Sequence, residues 1–196
     1  TGERILLHLI YCPWSSALSV PRLLLIALAL TLTACDDLYP SADDERPPVD
    51  TSAIGAAVGQ IAPDFSLLDT ENNMVQMSIE LADTDGIVLY FTMWCLTCNS
   101  HIYHMKTEVM PNYPNVKFFI VDFISGTVAL SRDAQLSNGA GDLTVLVDNV
   151  QEVLNLYNAN MGTTVVIEND VTQGIVRMNE DYKDGTKLTD TLNALP

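Results

Sequence analysis

Short apolar runs recur along the chain from residue 87 onward. Three of them, IVLYF at 87–91, VKFFIV at 116–121 and TVLV at 144–147, are rich in β-branched and aromatic residues, which is typical of buried strands. Two further runs, at 164–167 and 175–178, flank a turn-rich segment. This arrangement predicts a hairpin.

Helical patterns lie between and after these runs. The first covers residues 95–110 and would end at Pro111, and the others cover 132–136, 150–157 and 187–195. Strands that alternate with helices, followed by a hairpin and a last helix, predict the α/β class with a mixed central sheet.

A different pattern stands near the N-terminus, where Arg22 precedes an apolar run at residues 23–32. The run is shorter than the roughly 20 residues that a membrane-spanning helix needs, but it fits the apolar region of a secretory signal. The sequence LTAC that ends at Cys35 resembles the bacterial lipobox, in which the cysteine is lipidated. Residues 1–35 are therefore predicted to be a leader and lipoprotein-type signal peptide, with an ordinary signal peptide or a buried helix as the alternatives.

The rest of the 196 residues divides into two parts. Residues 36–57 are rich in acidic residues, proline, glycine and alanine, which predicts a disordered tether. Residues 58–196 would then form one domain of common size.

The charge of the chain bears on its partners. It has 25 acidic and 9 basic residues, for a formal net charge of −16. Because nucleic-acid binding depends on lysine and arginine at phosphates, no nucleic-acid partner is expected. The same charge gives no help on anionic lipid, so binding to the membrane would depend on acyl chains at Cys35. The predicted location is the bacterial cell envelope, anchored by lipid and facing the periplasm or extracytoplasmic side.

Two cysteines stand three positions apart in FTMWCLTCNS, residues 91–100. With Cys12 in the leader and Cys35 assigned to the anchor, Cys95 and Cys98 are the thiols of the exported domain. In an oxidising compartment they will tend to pair with each other. Cys95 lies where the predicted strand gives way to the predicted helix, and the positive end of a helix stabilises a thiolate. It is therefore expected to be the reactive sulfur.

Cys98 shares one helix face with three apolar residues, Ile102, Met105 and Val109. This face is expected to be buried, so Cys98 would be shielded and would resolve a mixed disulfide on Cys95. A structural bridge is the alternative. A three-residue spacing closes almost no loop and contributes little chain-entropy stabilisation, which favours redox chemistry.

Four segments resemble a known family when taken in order: VGQIAPDFSLLDTENNMVQMS at 58–78, IVLYFTMWCLTC at 87–98, VKFFIVD at 116–122 and TVLVD at 144–148. The family is that of the membrane-anchored, thioredoxin-like TlpA/ResA-type thiol-disulfide oxidoreductases, within the wider redoxin group. The resemblance implies a thioredoxin fold, with a central mixed β-sheet flanked by helices and an N-terminal strand extension. It also implies a redox-active Cys95–Cys98 disulfide without a bound cofactor, and partners that are protein thiols and disulfides of the exported compartment.

The resemblance further implies a docking surface for the substrate beside Cys95. It would consist of Trp94 and the loop from Met161 to Thr164, with Gly162, Thr163 and Thr164 as its principal residues. The family commonly has a cis-proline in this loop, and here Gly162 or Thr163 takes its place. A cis bond without proline costs about 2.5 to 4 kcal/mol, so a trans loop is expected. The chain also has Leu89 where thioredoxins often carry a buried acid six residues before the first cysteine.

A metallochaperone is the alternative from another functional class. Cys95, Cys98, His101 and His104 supply zinc- or copper-type ligands at a regular spacing. On a regular helix, however, each step of three turns the direction by roughly −60°, so one helix cannot wrap all four around one ion. His101 and His104 are expected to be surface residues, and no metal is expected, although a two-cysteine site completed by another loop stays open.

Two other kinds of cysteine site are less favoured. A c-type haem site would need histidine directly after Cys98, where Asn99 stands. A thiol peroxidase motif, P-x-x-x-T-x-x-C, is half matched by Thr92 and Cys95, but Val88 takes the proline position. Three acidic residues near predicted strand ends are expected to serve in turns or caps: Asp64, Asp122 and Asp148.

Overall fold

The computed structural model describes residues 47–170 and 173–196. The predicted signal peptide, Cys35 and the first part of the predicted tether lie outside these residues. In the described ranges, no helix combines the length and apolar character needed to cross a bilayer. Pro48–Pro196 form one compact unit.

Among the residues that the structure describes, seven strands form one mixed sheet: β1 Ser66–Asp69, β2 Met74–Gln76, β3 Gly86–Thr92, β4 Val116–Asp122, β5 Thr144–Val147, β6 Thr163–Asp170 and β7 Gln173–Asp181. Their spatial order is β2-β1-β5-β4-β3-β6-β7. The central strands β3, β4 and β5 are parallel, whereas β1, β6 and β7 pair with their neighbours in antiparallel fashion. The strands predicted from the apolar runs and the predicted β6–β7 pairing are confirmed.

In the described part of the chain, five α-helices accompany the sheet: α1 Met77–Leu81, α2 Leu96–His104, α3 Val128–Ser137, α4 Glu152–Leu156 and α5 Thr186–Leu192. The predicted helix at 95–110 is α-helical only as far as His104. It continues as a wider π turn at Met105–Val109 and a 3₁₀ turn at Met110–Asn112. Pro111 lacks an N–H and its ring clashes with the carbonyl four residues earlier, so a regular α-helix cannot run through this end.

The buried side chains form one layer on each face of the sheet. Along β3 they alternate, because successive side chains of a strand point to opposite faces. Leu89 belongs to the first layer, with Phe65 and Tyr157. Tyr90 belongs to the second layer, with Cys98 and the apolar face of α2. The cysteine helix therefore covers the face of the sheet on which Tyr90 lies.

The compact unit begins before residue 58, where composition placed the end of the tether. The N–H of Gly55 donates to the Ile61 carbonyl (2.9 Å), and the N–H of Ile61 donates to the Ala53 carbonyl (3.1 Å). The side-chain amide of Asn179 on β7 donates to the carbonyl of Ala56, whose side chain is buried. Small residues can pack this closely without a regular element, so composition alone did not reveal the contact.

Candidate active site

The two cysteines lie where β3 passes into α2. Cys95 is the N-cap of α2, with an extended backbone at φ −75° and ψ 165°. Its Sγ accepts a hydrogen bond from the N–H of Cys98 at 3.1 Å. The predicted position of Cys95 at the start of the helix is therefore confirmed, and its sulfur faces the unpaired N–H groups of the first turn.

The exposure of the two sulfurs differs. Cys95 is half-buried, whereas Cys98 is 1% exposed, and both are free thiols in the structure. Cys98 lies in a buried stripe with Ile102, Met105 and Val109, as the helical spacing predicted. A partner can therefore reach Cys95 without reaching Cys98.

The two thiols interact, and their pKa values move in opposite directions. Burial and the hydrogen bond with Cys98 raise the pKa of Cys95. Burial would also raise the pKa of Cys98, but hydrogen bonds from the Cys95 thiol, from the N–H groups of Met93 and Cys95 and from the Thr92 hydroxyl lower it. The pair therefore releases its first proton more easily than an ordinary thiol and its second less easily. This corrects the expectation that the helix start favours the thiolate of Cys95, because the lowered pKa in this pair is that of Cys98.

Trp94 is fixed from two sides. Its N–H donates to the Thr92 hydroxyl (3.0 Å), and its indole Nε1 donates to Oδ2 of Asp122 (2.8 Å). Asp122 stands directly opposite Thr92 in the parallel register of β3 and β4. Its turn role is also confirmed, since Oδ1 accepts the N–H groups of Ile124 and Ser125. Burial would raise the pKa of Asp122, but hydrogen bonds from Ser125, Trp94 and Ser131 hold it below its usual range.

The loop before β6 brings a methionine to the nucleophile. Met161 is 43% exposed, and its Sδ lies 3.4 Å from Sγ of Cys95. The loop is held by Gly162, whose N–H donates to the Phe91 carbonyl and whose carbonyl accepts the N–H of Tyr182, each at 2.9 Å. All peptide bonds of the described residues are trans, which agrees with the expectation for a loop without proline.

The predicted docking residues of this loop do not present their side chains to solvent. Gly162, Thr163 and Thr164 are all buried. The Thr163 hydroxyl accepts the N–H of Asn160 (2.9 Å), so it serves the loop itself. The loop residue that reaches the surface is Met161, and Gly162, Thr163 and Thr164 form its support. Docking of a substrate at these three positions stays a prediction.

Both histidines of α2 are half-buried, and each contacts a tyrosine. Nδ1 of His101 lies 2.9 Å from Oη of Tyr90, and Nδ1 of His104 lies 2.6 Å from Oη of Tyr182. The expectation that they are plain surface residues is wrong, because β3 and the segment after β7 supply partners that the helix pattern does not show. Within the described residues, no group of three or more His, Cys, Asp and Glu side chains is arranged to hold a metal ion, so the four-ligand ladder does not form.

No protein-family model and no curated protein sequence matches the chain. Solved structures do match it. A protein from Chlorobium tepidum, proposed to be a thiol:disulfide interchange protein DsbE, aligns with a TM-score of 0.58 and 20% identity over 71% of this chain and 98% of its own. The thioredoxin domain of a thiol-disulfide oxidoreductase from Bacteroides vulgatus aligns with a TM-score of 0.52 and 15% identity, over 68% of this chain and 98% of its own.

The third structure is a secreted disulfide oxidoreductase of Mycobacterium tuberculosis, homologous to DsbE of E. coli. It aligns with a TM-score of 0.51 and 20% identity, over 67% of this chain and 96% of its own. The chain has a thioredoxin-like fold. The N-terminal strand extension of this fold, expected from the sequence, is the antiparallel pair β1 and β2.

Three features of the thioredoxin-like site were not found from the sequence. They are the link from Trp94 to Asp122, the contact of Met161 with Cys95, and the pairing of His101 with Tyr90. The first had a usable signal, since the ends of parallel strands meet at one edge of the sheet. The other two depend on how distant segments pack.

Proposed function

We propose that the protein is a thiol-disulfide oxidoreductase that exchanges disulfides with exported partner proteins through Cys95 and Cys98. One observation carries the proposal. A half-exposed sulfur at the start of α2 accepts the N–H of the residue that bears a second, fully buried thiol. Thiol-disulfide exchange needs such a reachable nucleophile beside a protected resolving thiol. The similar solved structures share the fold and support this reading.

The reaction has two exchanges. The Cys95 thiolate attacks one sulfur of the partner's disulfide, the partner's S–S bond breaks, and its other sulfur leaves as a thiolate. Cys98 then loses its proton and attacks Sγ of Cys95, which forms the Cys95–Cys98 disulfide and releases the reduced partner. Two electrons pass from the pair to the partner, and the reverse sequence oxidises a dithiol. The reduction potential of the pair decides which direction prevails, and no bound cofactor is needed.

Apolar side chains around the nucleophile suit a protein partner. Met93, Leu96 and Met161 are exposed near Cys95, and half-buried Trp94 lies between Met93 and Cys95 in the chain. Exposed apolar residues that cluster in this way mark interaction surfaces. Trp94 and Met161 would contact the partner, while Gly162, Thr163 and Thr164 hold the loop in place.

The site of action rests on the sequence before residue 47. The apolar run at 23–32 and the LTAC sequence at Cys35 support a lipid anchor on the outer side of a bacterial membrane. In a bacterial host, Cys35→Ser should move the protein from the membrane fraction to the soluble fraction, while Cys12→Ser should leave its distribution unchanged. Retention of Cys35→Ser on membranes would contradict the anchor.

The exchange itself is tested with Cys95→Ser and Cys98→Ser, assayed by reduction of a disulfide-linked protein substrate. Cys95→Ser should abolish exchange. Cys98→Ser should accumulate a mixed disulfide with the substrate, which a non-reducing gel separates by mass. Cys35→Ser serves as the control and should exchange at the parent rate. The proposal fails if both active-site variants reduce the substrate as fast as the parent.

A further inference from the structure

Cys98 has to lose its proton each time it resolves a mixed disulfide, and thioredoxins often place a buried acid nearby for this step. In this chain that position is Leu89, whose side chain is buried in the layer on the other face of the sheet. The next residue, Tyr90, lies in the same layer as Cys98 and is 1% exposed. Of the β3 side chains on this face, the one that can titrate is therefore a phenol.

Tyr90 lies in the layer of Cys98 and contacts a histidine. Tyr90 and Cys98 belong to one buried cluster, and the Cys98 thiol contributes to the raised pKa of Tyr90. Its Oη lies 2.9 Å from Nδ1 of His101, and the two rings meet at 81° with centroids 6.0 Å apart. His101 stands three residues after Cys98, on the neighbouring turn of the same helix side. The phenol of Tyr90 therefore shares the buried layer of Cys98 and directly contacts a half-buried imidazole.

We propose that Tyr90 and His101 form the proton path of Cys98, a role that rests on the proposed thiol-disulfide exchange. As the Cys98 sulfur attacks Sγ of Cys95, its proton passes to Oη of Tyr90 while the phenol proton passes to Nδ1 of His101. The bond between Cys95 and the partner breaks, the Cys95–Cys98 bond forms, and the partner sulfur leaves as a thiolate. His101 then releases a proton from Nε2 to solvent. In the opposite direction the protons return along the same atoms.

The surroundings of Tyr90 and His101 shift the pKa values of the two side chains in opposite directions, so their roles in proton transfer differ. Burial and the charges of Cys98 and Cys95 raise the pKa of Tyr90 far above its usual value. The phenol therefore stays neutral and can only pass a proton on. Burial and the charge of His104 lower the pKa of His101, so its imidazole is neutral and can accept a proton at neutral pH.

Other charged and titratable groups face this path from the end of β7. Glu180 lies on the face of Tyr90, because Thr164 pairs with both residues, and it forms an ion pair with Lys187. Tyr182 packs against His101 with ring centroids 4.8 Å apart, and Asp184 follows it in the chain. The ion pair with Lys187 offsets the charge of Glu180. Among these side chains, His101 therefore remains the acceptor of the proton from Tyr90.

The fold contains a matched control for the path. Tyr182 and His104 repeat the phenol and imidazole pair at 2.6 Å, one turn further from the cysteines. Cys98 contributes to the pKa of Tyr90, whereas the pKa of Tyr182 is raised to about 12 by burial and the charge of Asp184. Tyr182→Phe and His104→Gln therefore remove the same chemical groups without touching the resolving thiol.

The test follows the release of thionitrobenzoate when the reduced full chain, carrying Cys12→Ser and Cys35→Ser, is mixed with Ellman's reagent in a stopped-flow instrument. The first release reports attack by Cys95 and depends on reagent concentration. The second release reports resolution by Cys98 and does not depend on reagent concentration. Because general acid–base catalysis contributes about 10²- to 10⁴-fold to a step, Tyr90→Phe should slow the second release at least about tenfold at neutral pH.

The pH dependence separates a proton path from a structural role. In the parent, the second release should slow as pH falls through the lowered pKa of His101, because the imidazolium can no longer accept a proton. His101→Gln should remove this slowing, with a uniformly lower rate, while Tyr182→Phe should keep the parent's pH profile within about twofold. His104→Gln removes the charge that lowers the pKa of His101, so it should keep the slowing but move it to higher pH. Parent-like second releases in both Tyr90→Phe and His101→Gln at every pH would overturn the proposal. Loss of the first release in the parent would instead overturn the proposed exchange function.

Discussion

The indole Nε1 of Trp94 donates a hydrogen bond of 2.8 Å to Oδ2 of Asp122. Trp94 has a left-handed backbone at φ 58°, which costs a residue other than glycine roughly 1 to 2 kcal/mol. The bond ties the residue before Cys95 to the end of β4, and Ser131 of α3 donates to the same carboxylate at 2.7 Å. Asp122 is therefore a positioning residue that holds the start of α2 against the sheet.

Replacing Asp122 should make the position of Cys95 less fixed. Asp122→Ala leaves the half-buried indole N–H of Trp94 and the buried hydroxyl of Ser131 without an acceptor, so the free energy of unfolding should fall by about 2 to 3 kcal/mol. The rate at which neutral iodoacetamide alkylates Cys95 should also change. Urea unfolding and mass-resolved alkylation measure the two effects.

The control for this variant is Asp148→Ala. Asp148 is equally buried and accepts the N–H groups of Glu152 and Leu154 at 2.8 Å each, but its partners are in α4 and not beside Cys95. It should lose stability to a similar degree with an unchanged alkylation rate. Equal effects of both variants on Cys95 would contradict the positioning role of Asp122.

Asp122 should also make stability depend on pH at the acid end. Its pKa is lowered in the folded chain because hydrogen bonds from Ser125, Trp94 and Ser131 outweigh burial. A lowered folded pKa contributes stability above the ordinary carboxyl pKa, and that stability is lost as pH falls through the lowered value. The stability difference between the parent and Asp122→Asn should therefore be largest near neutral pH and shrink in acid. A difference that is constant with pH would show that the charge contributes nothing.

Substitutions of Met161 should change the pKa and the reactivity of Cys95. Its Sδ lies 3.4 Å from Sγ of Cys95 and its side chain is largely accessible, so substitutions should change the free energy of unfolding by less than about 0.5 kcal/mol. Met161→Glu places a negative charge beside the sulfur, which should raise the pKa of Cys95 and slow its alkylation several-fold at neutral pH. Met161→Gln is the neutral control of the same length. Identical alkylation rates of the two variants would mean that position 161 does not face the sulfur in solution.

The central strands and the cysteine helix were predictable because their signals are local. The apolar runs of β3 and β4 are long, and the stripe that buries Cys98 follows helical spacing. The pair β1 and β2 was not located by pattern, since its strands of four and three residues are too short for a period to show. The five-residue helix α1 escaped for the same reason.

The site was predictable only in part. Cys95 and Cys98 follow from their spacing and from the junction at which they lie. His101 shares its helix face with polar residues and reads as solvated, and only the packing of α2 on β3 brings Tyr90 to it. The resemblance along the chain predicted Thr163 and Thr164 at the docking surface, but both side chains are buried in β6. A contact between two elements that are far apart in sequence does not show in the hydrophobic pattern of either element.

Gly162 holds the loop that carries Met161 in a left-handed conformation, at φ +84°, with open space where a Cβ would stand. Gly162→Ala should therefore cost about 1 to 2 kcal/mol of stability through backbone strain alone. It should also move Met161 and change the rate of exchange with a protein disulfide. Gly139→Ala is the matched control, because Gly139 has φ +72° and the same open space beyond the end of α3. Equal exchange rates in the two variants would show that the loop does not shape the docking surface.

Substitutions of Thr164 and Thr163 distinguish a role in the buried core from a role in docking. The Thr164 hydroxyl is buried and has no hydrogen-bond partner among the described residues, whereas the Thr163 hydroxyl accepts the N–H of Asn160 at 2.9 Å. Thr164→Val removes an unsatisfied group at nearly constant shape, so stability should stay level or rise by up to about 1 kcal/mol. Thr163→Val removes the acceptor of the Asn160 N–H and should lose about 1 kcal/mol. Urea unfolding measures both, and Thr164→Val should exchange disulfides at the parent rate, because its side chain does not reach the surface. A slower exchange in Thr164→Val without a loss of stability would return Thr164 to the docking surface that its sequence position suggested.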